Sequence, residues 1–234
     1  MSLPKINHHL FKITIPSTKK SLNFRPYTVK EEKLLLMMKD SKEISEVVDV
    51  VTQIINNCSV DNLDVKSLAI FDIEYIFIKL RAKSVGEEIP LTYNENDNKI
   101  NFIVDLDKVE VKFNPEHKKS IPLYNDIGVN MKYPSYNSML LLEKFLGEKK
   151  NIDEFIYELI LECIENVYDD KQIYTEFTRE DLEAFILSLP IECSEKIRQF
   201  FETMPSLEHT VTLNLKNGEK KEVTLRGMKD FFIL

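Results

Sequence analysis

A chain of 234 residues allows one large domain or two small ones, and 43% hydrophobic residues suffice for a core, which excludes disorder throughout. A formal net charge of −8 argues against a nucleic-acid binder that works by neutralising phosphates. Three scattered cysteines, Cys58, Cys163 and Cys193, argue against a disulfide framework, and no apolar run approaches the ~18 residues of a membrane span.

Residues 1–27 read as extended, with Phe11, Ile13 and Ile15 alternating with polar neighbours until Pro16. A first helix is expected from Thr28. Thr28-x-x-Glu31 has the form of a capping box, and Pro26 keeps Arg25 out of the helical region. Leu34, Leu35, Leu36, Met37 and Met38 then follow without a break, so apolar side chains reach every face. Such a helix is buried on all sides or meets a partner; burial in its own domain is the expectation. Met37-Met38 suits a protein-binding surface as well as a core.

In a second helix, Ile44, Val47, Val48, Val51, Ile55 and Cys58 share one face, which makes Cys58 a core residue rather than a nucleophile. Residues 65–81 fit a helix by length and a buried strand by β-branched and aromatic content; helix is the expectation. Asp72 lies inside this apolar run and needs a partner if buried, for which Arg81 and Arg25 are candidates.

Residues 86–125 change character. Ile89, Leu91 and Tyr93 alternate, as do Ile100, Phe102 and Val104, then Val109, Val111 and Phe113; with the turn-forming NENDN between the first two runs, this reads as an antiparallel meander. Helices return after Pro134. One lies near 136–146 and stops at Gly147, one opens with Asn151-x-x-Glu154, one runs from Thr178 to Pro190, and one carries Ile197, Phe200, Phe201 and Met204. A hairpin follows at 209–226, where Asn217-Gly218 is the turn signal. The apolar tail with Met228, Phe231, Phe232, Ile233 and Leu234 would be sticky if exposed and is expected to dock on the helices.

Helices, meander, helices, hairpin is the order of an α+β protein: a helical bundle-like core, a small antiparallel β meander (89–113) and a C-terminal β-hairpin (209–226). The expectation is a single α+β domain, 1–234, with sub-parts 1–85 (helical), 86–133 (meander), 134–207 (helical) and 208–234 (hairpin and tail).

Signs of chemistry are missing. His8, His9, His117 and His209 make no HExxH or Cys–His spacing, there is no nucleophile elbow, and the five glycines form no phosphate-cradling loop. An enzyme is not expected, nor a metal or other cofactor. Lys118-Lys119 and Lys220-Lys221 read as solvated loops. The N-terminal stretch MSLPKINHHLFKITIP lacks the apolar core of a signal peptide, so a soluble cytoplasmic protein is expected.

Two segments, FRPYTVKEEKLLL and FDIEYIFIKLRAKSVGE, resemble the T4-like phage baseplate hub assembly proteins. The pattern falls on Arg25, Pro26, Thr28, Glu31, Glu32 and Lys33, then on Asp72, Tyr75, Arg81, Ser84 and Gly86. DIGVNMKYPSY (126–136) and GMKDFF (227–232) are also similar to this family. The resemblance implies a viral protein that helps to build the hub of a contractile-tail baseplate, as an assembly factor or chaperone or, alternatively, as a permanent structural subunit of the virion. It implies partners among the other hub proteins and the tape-measure protein, and a place in the host cell cytoplasm during assembly or in the virion baseplate. The motif residues are expected to build the fold, with Arg81 and Ser84 fixing their loop by hydrogen bonds. A partner, if one is met directly, would contact the Leu34–Met38 ridge or the C-terminal tail with Phe231 and Phe232. Relatives carry Cys-x-x-Cys pairs near two hairpins; here those places read LTYNENDNKINF and HTVTLNLKNGEKKEV, so thiolate zinc is not expected.

Overall fold

The computed structural model describes residues 4, 6–38, 44–95, 98–148, 151–215 and 218–231. Its elements, in chain order, begin with β1 (Phe11–Thr14), β2 (Ser21–Phe24), α1 (Val29–Met38), α2 (Ile44–Cys58), α3 (Ile70–Ser84), β3 (Glu88–Glu95), β4 (Asn98–Asp105) and β5 (Glu110–Lys112). There follow β6 (Ser120–Tyr124), β7 (Ile127–Met131), α4 (Tyr136–Glu148), α5 (Ile152–Cys163), β8 (Ile164–Tyr168), β9 (Ile173–Tyr174), α6 (Arg179–Ser188), α7 (Ile191–Thr203), β10 (Ser206–Asn214) and β11 (Lys220–Arg226). This is an α+β fold with several small antiparallel sheets. Contacts divide the chain into two units: residues 1–112 with 206–234, and residues 113–205. These units cut across the sub-parts expected from the sequence.

In the first unit α3 is central. Ile73, Ile76, Phe77 and Leu80 join a cluster with Ile13 and Leu22 of the β1–β2 hairpin and Val51, Ile54 and Ile55 of α2. Ile78 and Ala82 belong to a second cluster with Ile89, Leu91, Val104, Leu207 and Leu225 from the strands. A helix covered on opposite faces has no polar stripe, which is why residues 65–81 gave no clear helical period. The helix reading holds, preceded by a 3-10 turn at Val65–Ser67.

The expected meander is instead split. β3 and β4 form a hairpin, with Ile89 opposite Val104 and Leu91 opposite Phe102. The third run, β5, pairs with β10 rather than β4, so its sheet has the order β11-β10-β5. Alternation fixes which face a side chain takes but not which strand its edge joins. A 3-10 turn at Leu106–Lys108, held where Asp105 accepts from the Asp107 N–H at 3.0 Å, redirects the chain. The first 27 residues hold two strands rather than one extended run, and β2 was not expected.

The second unit is less helical than expected. A four-stranded antiparallel sheet, β6-β7-β8-β9, packs Val129 and Met131 against Ile160, Leu161, Ile197 and Phe200. Gly128 is required there: a Cβ would lie 2.2 Å from the Tyr168 ring and 2.7 Å from the Ile121 carbonyl oxygen. α4 runs through Gly147 rather than stopping at it. Thr178 opens α6 with a full capping box, in which it accepts from the Asp181 N–H and Asp181 accepts from the Thr178 N–H, both at 3.1 Å. The turn residue Asn217, part of NENDN, and Phe232–Leu234 lie outside the described residues.

Candidate functional site

Two of the motif segments of the first unit are each anchored by a buried carboxylate. Glu31 is fully buried, and Arg25 reaches it with Nη2 at 3.0 Å from Oε1 and Nη1 at 3.3 Å from Oε2. Oε2 also accepts from the Thr28 N–H at 2.9 Å and the Thr28 hydroxyl at 2.8 Å. Half of the expected capping box is thus present, since Glu31 reaches back. The Thr28 hydroxyl points at Glu31 and has only a long 3.4 Å contact from the Lys30 N–H. Burial alone would raise the Glu31 pKa; the Arg25 and Thr28 hydrogen bonds outweigh it and hold the carboxyl at about 2.

Asp72 is also fully buried, but no arginine answers it. Its oxygens accept from the Ser17 N–H at 2.9 Å and the Ser17 hydroxyl at 2.5 Å. The expected pairing with Arg81 or Arg25 is therefore corrected: Arg25 is engaged by Glu31, and a hydroxyl 55 residues upstream satisfies Asp72. Burial raises the Asp72 pKa, and the Ser17 bonds offset only part of this. Nothing in the sequence marks Ser17, because its role comes from the turn after β1.

Ser84 closes α3 by donating to the Leu80 carbonyl at 2.5 Å and accepts from the Tyr27 N–H at 3.0 Å. The end of α3 therefore holds the approach to α1. Arg81 Nη1 reaches the Gly86 carbonyl at 3.4 Å, and Gly86 takes a φ of 145° in open space, a conformation that favours glycine. Tyr75 packs on α3 between both clusters, with the Lys79 ammonium 5.2 Å from its ring centroid. Pro26 offers its carbonyl to Arg25 at 2.9 Å. In the C-terminal segment, the Met228 N–H donates to Glu74 at 2.9 Å, Gly227 takes a φ of 61°, and Phe231 is 2% exposed within the strand-side cluster. Glu74 and Gly227 were not singled out from the sequence; the signal available was a carboxylate one turn from Ile78 in an otherwise apolar run.

Three motif segments converge on one apolar cavity of about 350 Å³. Tyr27, Glu32, Leu35 and Leu36 come from the first, Phe77 and Arg81 from the second, and Met228 and Phe231 from the third. Met38 at the end of α1, Val51 of α2, and Ile89, Pro90 and Leu91 of β3 form the remaining wall. Glu87 accepts from the Leu106 N–H at 2.7 Å, which turns the backbone of Glu87, Ile89 and Leu91 toward β4. Pro90 has the opposite parity and faces the free edge, where its missing N–H costs nothing.

The ridge above this cavity is not buried on every side. Met38 is 5% exposed, Leu34 and Leu35 are partly buried against the core, and Leu36 and Met37 are 65% and 73% exposed. Burial of the whole ridge within its own domain therefore fails at Leu36 and Met37. Phe231 belongs to the core beneath the cavity rather than to an open surface, and Phe232 lies outside the described residues.

The remaining chemistry is sparse. Burial pushes the Cys58 thiol up to about 11 and the Cys163 thiol up to about 12, so neither is a thiolate near neutrality. Among the described residues, no group of three or more His, Cys, Asp or Glu is placed to hold a metal ion, and no helix is long and apolar enough to cross a membrane.

A family model described as T4 bacteriophage base plate protein matches residues 7–233. No curated protein and no solved structure matches the chain. With a match over nearly its full length, the chain belongs to the family of T4 bacteriophage base plate proteins.

Proposed function

We propose that this base plate protein is an assembly factor for the baseplate hub, and that it holds a partner chain in the cavity beside α1. The observation that carries this reading is Leu36, solvent-facing and lining an apolar cavity of about 350 Å³, with the exposed Met37 next to it in α1. Large apolar side chains exposed next to a concave apolar surface are the mark of a protein-binding face. The motif residues around it act as scaffold: Arg25, Thr28 and Glu31 fix the start of α1, and Ser84 fixes its approach. The partner is another hub protein or the tape-measure protein, met in the host cytoplasm during assembly. No step of bond chemistry is required of the protein.

Two measurements test this together. Quantitative mass spectrometry of purified virions is expected to find no stoichiometric copy, while a tagged pull-down from infected cells returns hub or tape-measure proteins. A few copies per virion would make it a permanent structural subunit instead. In the pull-down, Leu36→Asp is expected to abolish capture with an unchanged thermal melt; undiminished capture would remove α1 from the interface.

A further inference from the structure

A second apolar face lies in the other unit, where α6 turns into α7. We infer that this face binds a second copy of the same chain, so that Leu187 and Ile191 of each copy enter the cavity of the other. The two side chains are 74% and 84% exposed, the latter the most exposed large hydrophobic residue among those described. Both stand at the mouth of a cavity of about 300 Å³, on whose floor Ile160 and Ile197 are buried. Protruding aliphatics and a recess that accepts aliphatics thus share one face.

The corner that presents them is fixed locally. Leu189 donates to the Ile186 carbonyl at 3.2 Å, Cys193 donates to the Pro190 carbonyl at 2.9 Å, and Pro190 sits between the two helices as the N-cap of α7. Little conformational freedom is lost when such a corner docks.

Charge decides the occupant. Asp153 and Arg198 both line the cavity and have no ion-pair partner among the described residues. A two-fold contact brings position i against j and j against i, so one acid and one base on the same face pair twice between identical copies. A partner of a single charge sign would satisfy one of them and repel the other. Leu187 and Ile191 lie outside the α1 cavity, so this face is independent of the proposed hub contact.

Sedimentation equilibrium of the full chain at physiological salt, over micromolar concentrations, provides the test. The wild type is expected to populate a dimer. Leu187→Asp and Ile191→Asp are each expected to weaken it by roughly a hundredfold, with unchanged far-UV dichroism and melting, because both sites are exposed. Asp153→Arg or Arg198→Asp alone is expected to weaken the dimer by about tenfold, and the double reversal to restore it. A wild type that stays monomeric over the whole range overturns the inference. So does a dimer indifferent to both aspartates, which would place the contact elsewhere, or a double reversal no better than the singles, which would remove the two-fold pairing.

Discussion

The two units handle buried polarity in opposite ways. The first buries two carboxylates: Glu31 fixes the local approach to α1 through Arg25 and Thr28, and Asp72 staples α3 to the turn after β1, 55 residues upstream. The second buries no carboxylate side chain among its described residues and instead places a histidine among aromatic rings. His117 lies 5.6 Å from the Tyr133 centroid and 5.0 Å from that of Phe200. The Thr203 hydroxyl donates to the Gln199 carbonyl at 2.7 Å, so its one hydrogen is engaged. The His117 Nδ1, 3.0 Å away, must then be the donor to it, which leaves Nε2 as a bare, buried lone pair with no partner among the described residues. Burial, with Lys119 nearby, lowers the His117 pKa. A unit assembled from both ends of the chain needs directional bonds to specify how its pieces meet. A continuous stretch of chain has shorter loops to close and relies on packing.

The largest effect expected from this contrast is at Glu31. Glu31→Ala leaves the Arg25 guanidinium and the Thr28 N–H without their acceptor and is expected to cost about 3–5 kcal/mol in denaturant unfolding. A loss below about 1 kcal/mol would mean that the buried pair does not fix the approach to α1. Gly128→Ala is the matching break in the second unit. Its Cβ meets the Tyr168 ring and a backbone oxygen, with an expected cost of about 1–3 kcal/mol, measured in the same way.

Acid separates the units next. For His117 the folded pKa lies below the ordinary value of 6.5, so the unfolded chain takes up the proton first. Stability is therefore lost as pH falls from about 6.5 toward the folded value. Glu31 is also depressed, and its contribution is lost only between about 4.5 and about 2. Melts at stepped pH are expected to show the His117 loss first, and His117→Phe to abolish that first step alone. An unchanged first step in the variant would assign it to another group. The smallest effect belongs to the exposed ridge: Leu36→Asp is expected to change stability by no more than about 0.5 kcal/mol, whereas Phe231→Ala, in the core below, is expected to cost about 3–5 kcal/mol.

Local patterns were legible wherever one residue's neighbours decide its state. The caps at Asn151 and Thr178, the amphipathic face of α2 with Cys58 inside, and the alternation of β3, β4, β10 and β11 all follow from short-range hydrogen bonding and periodicity. The same patterns gave the α+β class, and the resemblance of the motif segments pointed to the family. Tertiary structure alone decided the rest. It sent β5 to β10, gave Asp72 to Ser17 rather than to an arginine, placed Glu74 under Met228, and left Leu36 and Met37 outside while Met38 went in. Each of these depends on which distant surface arrives at a given face, and an apolar or charged side chain carries no label for the partner that will cover it. Five apolar residues in a row state that something must meet them; only the packing of α1 on α2 and on the core cluster beside it determines which of them the chain itself can cover.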